Sequence, residues 1–242
     1  MSQPISIALP LKPGPSNARA WAAPPTRSEP IAAGEWIGDV GRGGSVNFAE
    51  LHITPHGAGT HTESVAHISR LSETNHVAAV APRSALVARL IDVPIRDLAE
   101  RGRVADLTQL RDDPPDAPVL LVRALGSGHV DGDFTGTDPP YFLPEDMDLL
   151  AESGVQHLVT DLPSLDRESD GGRLLAHRAF WKFPGAIRAA ATVTELARLN
   201  HAPGPGLYLI TFNVLPLHAD ASPSVPILYA LSKVVRPPQP AE

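Results

Sequence analysis

The sequence predicts a mixed α/β fold, rich in strands, with a few helices packed outside a mixed sheet or barrel-like core. Three observations lead there. Short apolar runs of strand length outnumber helical patterns. Proline is abundant, 26 of 242 residues, and crowds both ends of the chain, which keeps long helices from forming there. Strands and helices also fail to alternate as a doubly wound parallel sheet would require.

In chain order, residues 5–11, 46–54, 85–95, 118–124, 156–160 and 207–214 read as strands. The second of these alternates polar and apolar residues from Ser45 to Ile53, as a half-buried strand does. Residues 144–154 read as a helix, because Pro144, Glu145 and Asp146 suit a first turn and Gly154 supplies a stop. A second helix is expected over residues 194–200, capped by Thr192 or Thr194. The proline-rich stretch 112–118 is read as a surface loop, since apolar runs resume on both sides of it. One domain over residues 1–242 is the expected organisation.

Composition narrows the chemistry. The chain is 43% hydrophobic and 19% charged, typical of a folded globular domain. Its formal charge of −7 and the lack of a basic run disfavour nucleic acid and anionic membrane as partners. No apolar run reaches the roughly 18 residues that span a bilayer. The N-terminus has no cationic stretch followed by an apolar core, so a cytoplasmic location is expected. With no cysteine, any metal must be held by His, Asp and Glu, a donor set suited to catalytic sites with an open position. No G-x-S-x-G elbow and no phosphate-binding glycine motif is present, which argues against a serine hydrolase and against nucleotide cofactors.

The densest chemistry lies in residues 56–67. His56, His61, His67 and Glu63 fall within this stretch, threaded through Gly57 and Gly59. His61 and Glu63 are two apart, so an extended segment points both to one face. Glu63 and His67 are four apart, so a helical turn after Glu63 would return His67 beside them. Imidazole and carboxylate together suit a borderline divalent ion such as zinc or manganese. Downstream, residues 156–166 read as a buried strand ending in a polar turn, and residues 174–180 offer His177 among apolar neighbours. Asp161, Ser164 and Asp166 are expected to cap and turn the chain, and His52, His76, His129, His157, His201 and His218 to be structural. Most aromatic residues are expected in the core, with Trp21 or Trp36 as a cover for a pocket.

These stretches resemble the cyclase family that includes kynurenine formamidase and isatin hydrolase, whose signature is H-x-G-T-H-x-D-x-P-x-H. Gly59, Thr60 and His61 match its G-T-H, and His67 matches its last histidine. Glu63 stands at the aspartate and Val65 at the proline, while the first histidine falls on Gly57 with His56 one position early. His177 and Glu195 resemble the later histidine and glutamate ligands. The resemblance implies a swivelling β/β/α fold, a homodimer or larger homo-oligomer, and one or two divalent metals, zinc first and manganese second. It also implies hydrolysis of an amide-type C–N bond in a small molecule, as an arylformamidase acts on N-formylkynurenine, or of a related formamide, lactam or lactone. His56, His61, Glu63, His177 and Glu195 are then the metal ligands and His67 the general acid–base. Two rivals are a non-catalytic metal-binding protein that retains the fold and a metal-dependent isomerase.

Overall fold

The computed structural model describes residues 3–15, 17–126 and 132–231, so His129 lies outside the described residues. Strands β1 (Ile5–Ser6), β2 (Arg27–Pro30), β3 (Ala32–Ala33), β4 (Trp36–Ile37), β5 (Ala49–His52) and β6 (His61–Ser64) precede the first helix, α1 (Val77–Val80). Strands β7 (Leu86–Leu98), β8 (Gly102–Ala105) and β9 (Val119–Leu125) follow, then α2 (Pro144–Glu152), β10 (His157–Thr160) and α3 (Leu175–Trp181). The described residues end with β11 (Thr192–Glu195), β12 (Gly206–Val214) and β13 (Ala221–Ala230). The fold is therefore mixed α/β and strand-rich, as expected.

The main sheet closes on itself. Its strand order is β13-β12-β7-β9-β10-β11-β6, and β6 also pairs with β13. Strands β7, β9, β10 and β11 run parallel, and the remaining pairings around the circuit are antiparallel. The short β1 joins β13, and β8 folds back on β7.

Strand β9 shows why the core has two main parts beside a small third cluster of Leu9, Ala18 and Leu196. Leu120, Val122 and Ala124 enter a cluster with Met147 and Leu150 of α2 and Phe180 and Trp181 of α3. Val119 and Leu121, pointing the other way, join a second cluster with Leu90, Ile210 and Leu228. A strand buried on both faces has no polar alternation, hence the unbroken apolar run in the sequence. Among the described residues no helix is long and apolar enough to cross a membrane.

Three expectations need correction. Residues 192–195 form β11 rather than the start of a helix, held between β10 and β6, and Leu196 then takes a left-handed φ of 53° that no helix continues through. Residues 46–54 contribute only β5, which pairs with β2 in a small separate sheet and leaves Phe48 and Leu51 exposed rather than half-buried. Of residues 5–11 only Ile5–Ser6 is strand. Strand β13 went unread because Pro223 and Pro226 lie within it, and α3 because its helix is only seven residues long.

Candidate active site

Strand β6 carries His61 and Glu63 on one face, both fully buried. Opposite His61 in the antiparallel register is Glu195 of β11, so its carboxylate shares that face, with Oε2 3.3 Å from His61 Nε2. The backbone then tightens into a 3-10 turn over Val65–His67, returning His67 Nδ1 to 3.9 Å from Glu63 Oε2. His177, buried on α3, places Nε2 2.9 Å from Glu63 Oε1 and 3.5 Å from Glu195 Oε1. His56, from the 3-10 turn Pro55–Gly57, sets Nδ1 3.1 Å from Glu63 Oε2. All six residues singled out in the sequence thus converge on one point.

Each imidazole is oriented from behind. His61 Nδ1 donates to the Gly59 carbonyl at 3.0 Å, and Nε2 is the ring nitrogen that faces the cluster. His177 Nδ1 lies 2.6 Å from Asp166 Oδ2, and His56 Nε2 lies 2.7 Å from Asp220 Oδ2. A histidine whose other ring nitrogen is anchored by a carboxylate is the usual arrangement behind a metal ligand. The Leu165 N–H donates to Glu195 Oε1 at 3.0 Å and fixes that carboxylate as well.

The charges are strongly coupled. Burial would lower the His56 pKa, but Asp220 and Glu63 outweigh it and hold it at about 10. Burial likewise opposes a charged His177, yet Glu63, Asp166 and Glu195 carry it well above the ordinary imidazole value. For Glu63, burial works upward, and His67 and His177 prevail, holding it well below the usual carboxylate range. Hydrogen bonds with His56 and His67 lower Asp220 in the same sense. Closely packed buried carboxylates of this kind require nearby positive charge.

The donors suit a cation. His56, His61 and Glu63 offer ligand atoms within 4.8 Å of one another, as do Glu63, His67 and His177. His61 Nε2 and Glu63 Oε2 are buried, with no hydrogen-bond partner of good geometry. Such atoms within a polar cluster are what a metal ion would satisfy. A cavity of about 310 Å³ opens beside them, lined by Trp21, His56, His67, Arg167, His177 and Glu195 among others. A larger opening of about 940 Å³ is lined by Leu9, Leu11, Phe212 and Leu215, and none of the six cluster residues reaches it. The chemistry sits in the smaller one.

A sequence profile of the family described as Putative cyclase matches residues 1–167. The chain belongs to that family. Its fold is shared by solved structures of low identity. Isatin hydrolase A from Labrenzia aggregata, bound to benzyl benzoate, matches with a TM-score of 0.64 and 16% identity, over 93% of each chain. A predicted metal-dependent hydrolase from Bacillus stearothermophilus gives a TM-score of 0.61 and 16% identity, over 93% of this chain and 97% of that one. Isatin hydrolase A from Ralstonia solanacearum gives 0.57 and 15%, over 93% and 91%. A comparison with curated protein sequences finds no match.

Where the cyclase signature has its first histidine, this backbone leaves no room for a side chain. A Cβ on Gly57 would lie 2.2 Å from the Ala23 Cβ and 3.1 Å from the Ala20 carbonyl, so no histidine fits there. His56, one position earlier, reaches the cluster instead. Two participants escaped the sequence reading. Asp166 is expected to cap and turn, and it does accept from the backbone N–H of Ala176 and His177 at the start of α3, but it also holds the His177 ring. Asp220 had no local signal at all, because it is 164 residues from His56. Ser164 behaves as a turn residue, accepting from the Asp166 N–H, whereas Asp161 accepts from the Ala124 N–H, 37 residues away on β9. Trp21 stands at the cavity, while Trp36 lies against Phe48.

Proposed function

We propose that this chain is a metal-dependent hydrolase of an amide-type C–N bond in a small molecule, acting as an arylformamidase acts or on a related formamide, lactam or lactone. The observation that supports it most is the pair of buried atoms without a hydrogen bond of good geometry, His61 Nε2 and Glu63 Oε2, within a His/Glu cluster beside a cavity. Family membership and the shared fold support the same reading.

His56, His61, Glu63 and His177 would hold one or two divalent ions, with Glu195 completing the set. Nitrogen and oxygen donors without thiolate favour zinc, then manganese. When bound, such an ion supplies Lewis acidity to the carbonyl and lowers the pKa of water from about 15.7 toward 7.

The chain's own groups then divide the remaining work. His67 is partly exposed at the cavity, and its Nδ1 lies 3.4 Å from Asp220 Oδ2. Asp220 therefore orients the ring and leaves Nε2 to exchange protons. That nitrogen takes a proton from water as its oxygen bonds to the carbonyl carbon, and returns it to the departing nitrogen as the C–N bond breaks. The products are a carboxylic acid and an amine, carried on one molecule for a lactam; for a lactone the C–O bond breaks and the proton goes to the departing oxygen, giving a hydroxy acid. Trp21, beside the entrance, offers an apolar surface to an aromatic substrate.

Paired substitutions test this reading. His61→Ala should lower both metal content, measured by elemental analysis, and turnover of a formanilide or lactam panel. His67→Ala should retain most of the metal and cut the rate by roughly 10²–10⁴. Equal metal loss in both variants would make His67 a ligand. A wild type that binds zinc and manganese but hydrolyses nothing in the panel would sink the hydrolase reading.

A further inference from the structure

We propose that Glu73, His76 and His218 form a second, peripheral site for a divalent cation of the zinc class, outside the cavity cluster. Their ligand atoms lie within 4.8 Å of one another. The His76 and His218 rings are 4.4 Å apart, tilted by 34°, and His218 Nε2 is 3.2 Å from Glu73 Oε1. Two imidazoles and one carboxylate with room for a further ligand is a recurrent zinc donor set.

Glu73 and His218 are exposed at the surface, and His76 is the half-buried member that the chain positions. His76 precedes α1, where a side chain ordinarily caps the first turn, but its ring makes no cap. Its Nδ1 is instead buried with no hydrogen-bond partner. A buried ring nitrogen without a partner is costly unless something else satisfies it. The turn before it is fixed by Asn75, whose Oδ1 accepts from the Ser72 N–H at 2.7 Å and whose Nδ2 donates to the Arg70 carbonyl at 2.9 Å. The Val77 N–H donates to the Ala219 carbonyl at 2.8 Å, which ties the start of α1 to the segment carrying His218.

That segment also reaches the cavity. Two residues beyond His218, the Asp220 carbonyl accepts from the Ser64 N–H at 2.9 Å, and the Asp220 carboxylate holds His56 and His67. An ion joining His218 to Glu73 and His76 would anchor the stretch from which Asp220 extends. The site stands independently of whether the cavity hydrolyses amides.

Equilibrium dialysis of the full chain against zinc, read by elemental analysis, decides it. His218→Ala should bind about one ion fewer per chain than the wild type, or bind it at least about tenfold more weakly. His61→Ala should keep this ion, and its zinc-dependent rise in melting temperature should vanish in the His61→Ala/His218→Ala double variant. Should His61→Ala fail to fold, wild type against His218→Ala and His76→Ala carries the comparison alone. Equal stoichiometry and affinity in wild type and His218→Ala would overturn the proposal. So would loss of this ion in His61→Ala, which would place it in the cavity.

Discussion

Single atoms decide two features of this molecule. At Gly57 the missing Cβ admits the segment that carries Ala20 and Ala23, and that close approach leaves no room for a histidine at position 57, while His56 reaches the cluster. Gly57→Ala should therefore cost about 1–3 kcal/mol by overpacking. Denaturant unfolding should show Ala23→Gly recovering much of that loss in the double variant. Failure to recover would mean that the contact is not the cause. Asp161 governs a pH dependence. Burial raises its pKa to about 7, against the opposing hydrogen bond from the Ala124 N–H. The folded state thus holds this proton more tightly than the unfolded chain, whose value is near 3.8. Its contribution is fully present below the unfolded value and is lost as pH rises through about 7. It amounts to at most about 4 kcal/mol. Between about pH 4 and pH 8, Asp161→Asn should lose less stability than the wild type. Parallel curves for the two proteins would show that Asp161 does not titrate in that window.

At the scale of elements, the cluster depends on three strands held in register from behind. His61 and Glu63 face the site, so Thr62 must point away from it. Its Oγ1 lies 2.8 Å from Thr194 Oγ1 and 2.9 Å from Ser224 Oγ, joining β6, β11 and β13 through buried hydroxyls. Thr62→Val keeps the shape and removes the shared partner, at an expected cost of about 1–3 kcal/mol. A neutral result on unfolding would mean that the two remaining hydroxyls pair with each other. Local pattern alone revealed the spacing of residues 61, 63 and 67, because the period of a strand and of a turn is short-range information. It misread 194–200, where Leu, Ala and Arg favour a helix but pairing with β10 and β6 prevails over propensity. It also could not reveal Asp220, whose role arises only when β13 closes against β6.

The closed sheet bears on how the whole molecule behaves. Proline-rich residues 112–118 divide the sequence near its middle, and a two-domain chain would separate there. The pairings run across that division. Strand β1, from the first ten residues, pairs with β13 near the end, and β6 pairs with both β11 and β13. On the other side of the circuit β7 bonds to β9 and β12. The metal-site candidates obey the same logic, since His61 and Glu63 come from the first half and His177 and Glu195 from the second. Neither half could close a sheet or assemble the cluster alone. Unfolding by heat or denaturant should therefore be one cooperative transition, with secondary structure and tryptophan fluorescence changing together. Trp181 is fully buried between the sheet and the helices, whereas Trp21 sits near the cavity, so the fluorescence change samples both regions. Two resolved transitions, or a stable fragment after cleavage near Pro114, would show that the halves fold independently and that the circuit is not the unit of stability.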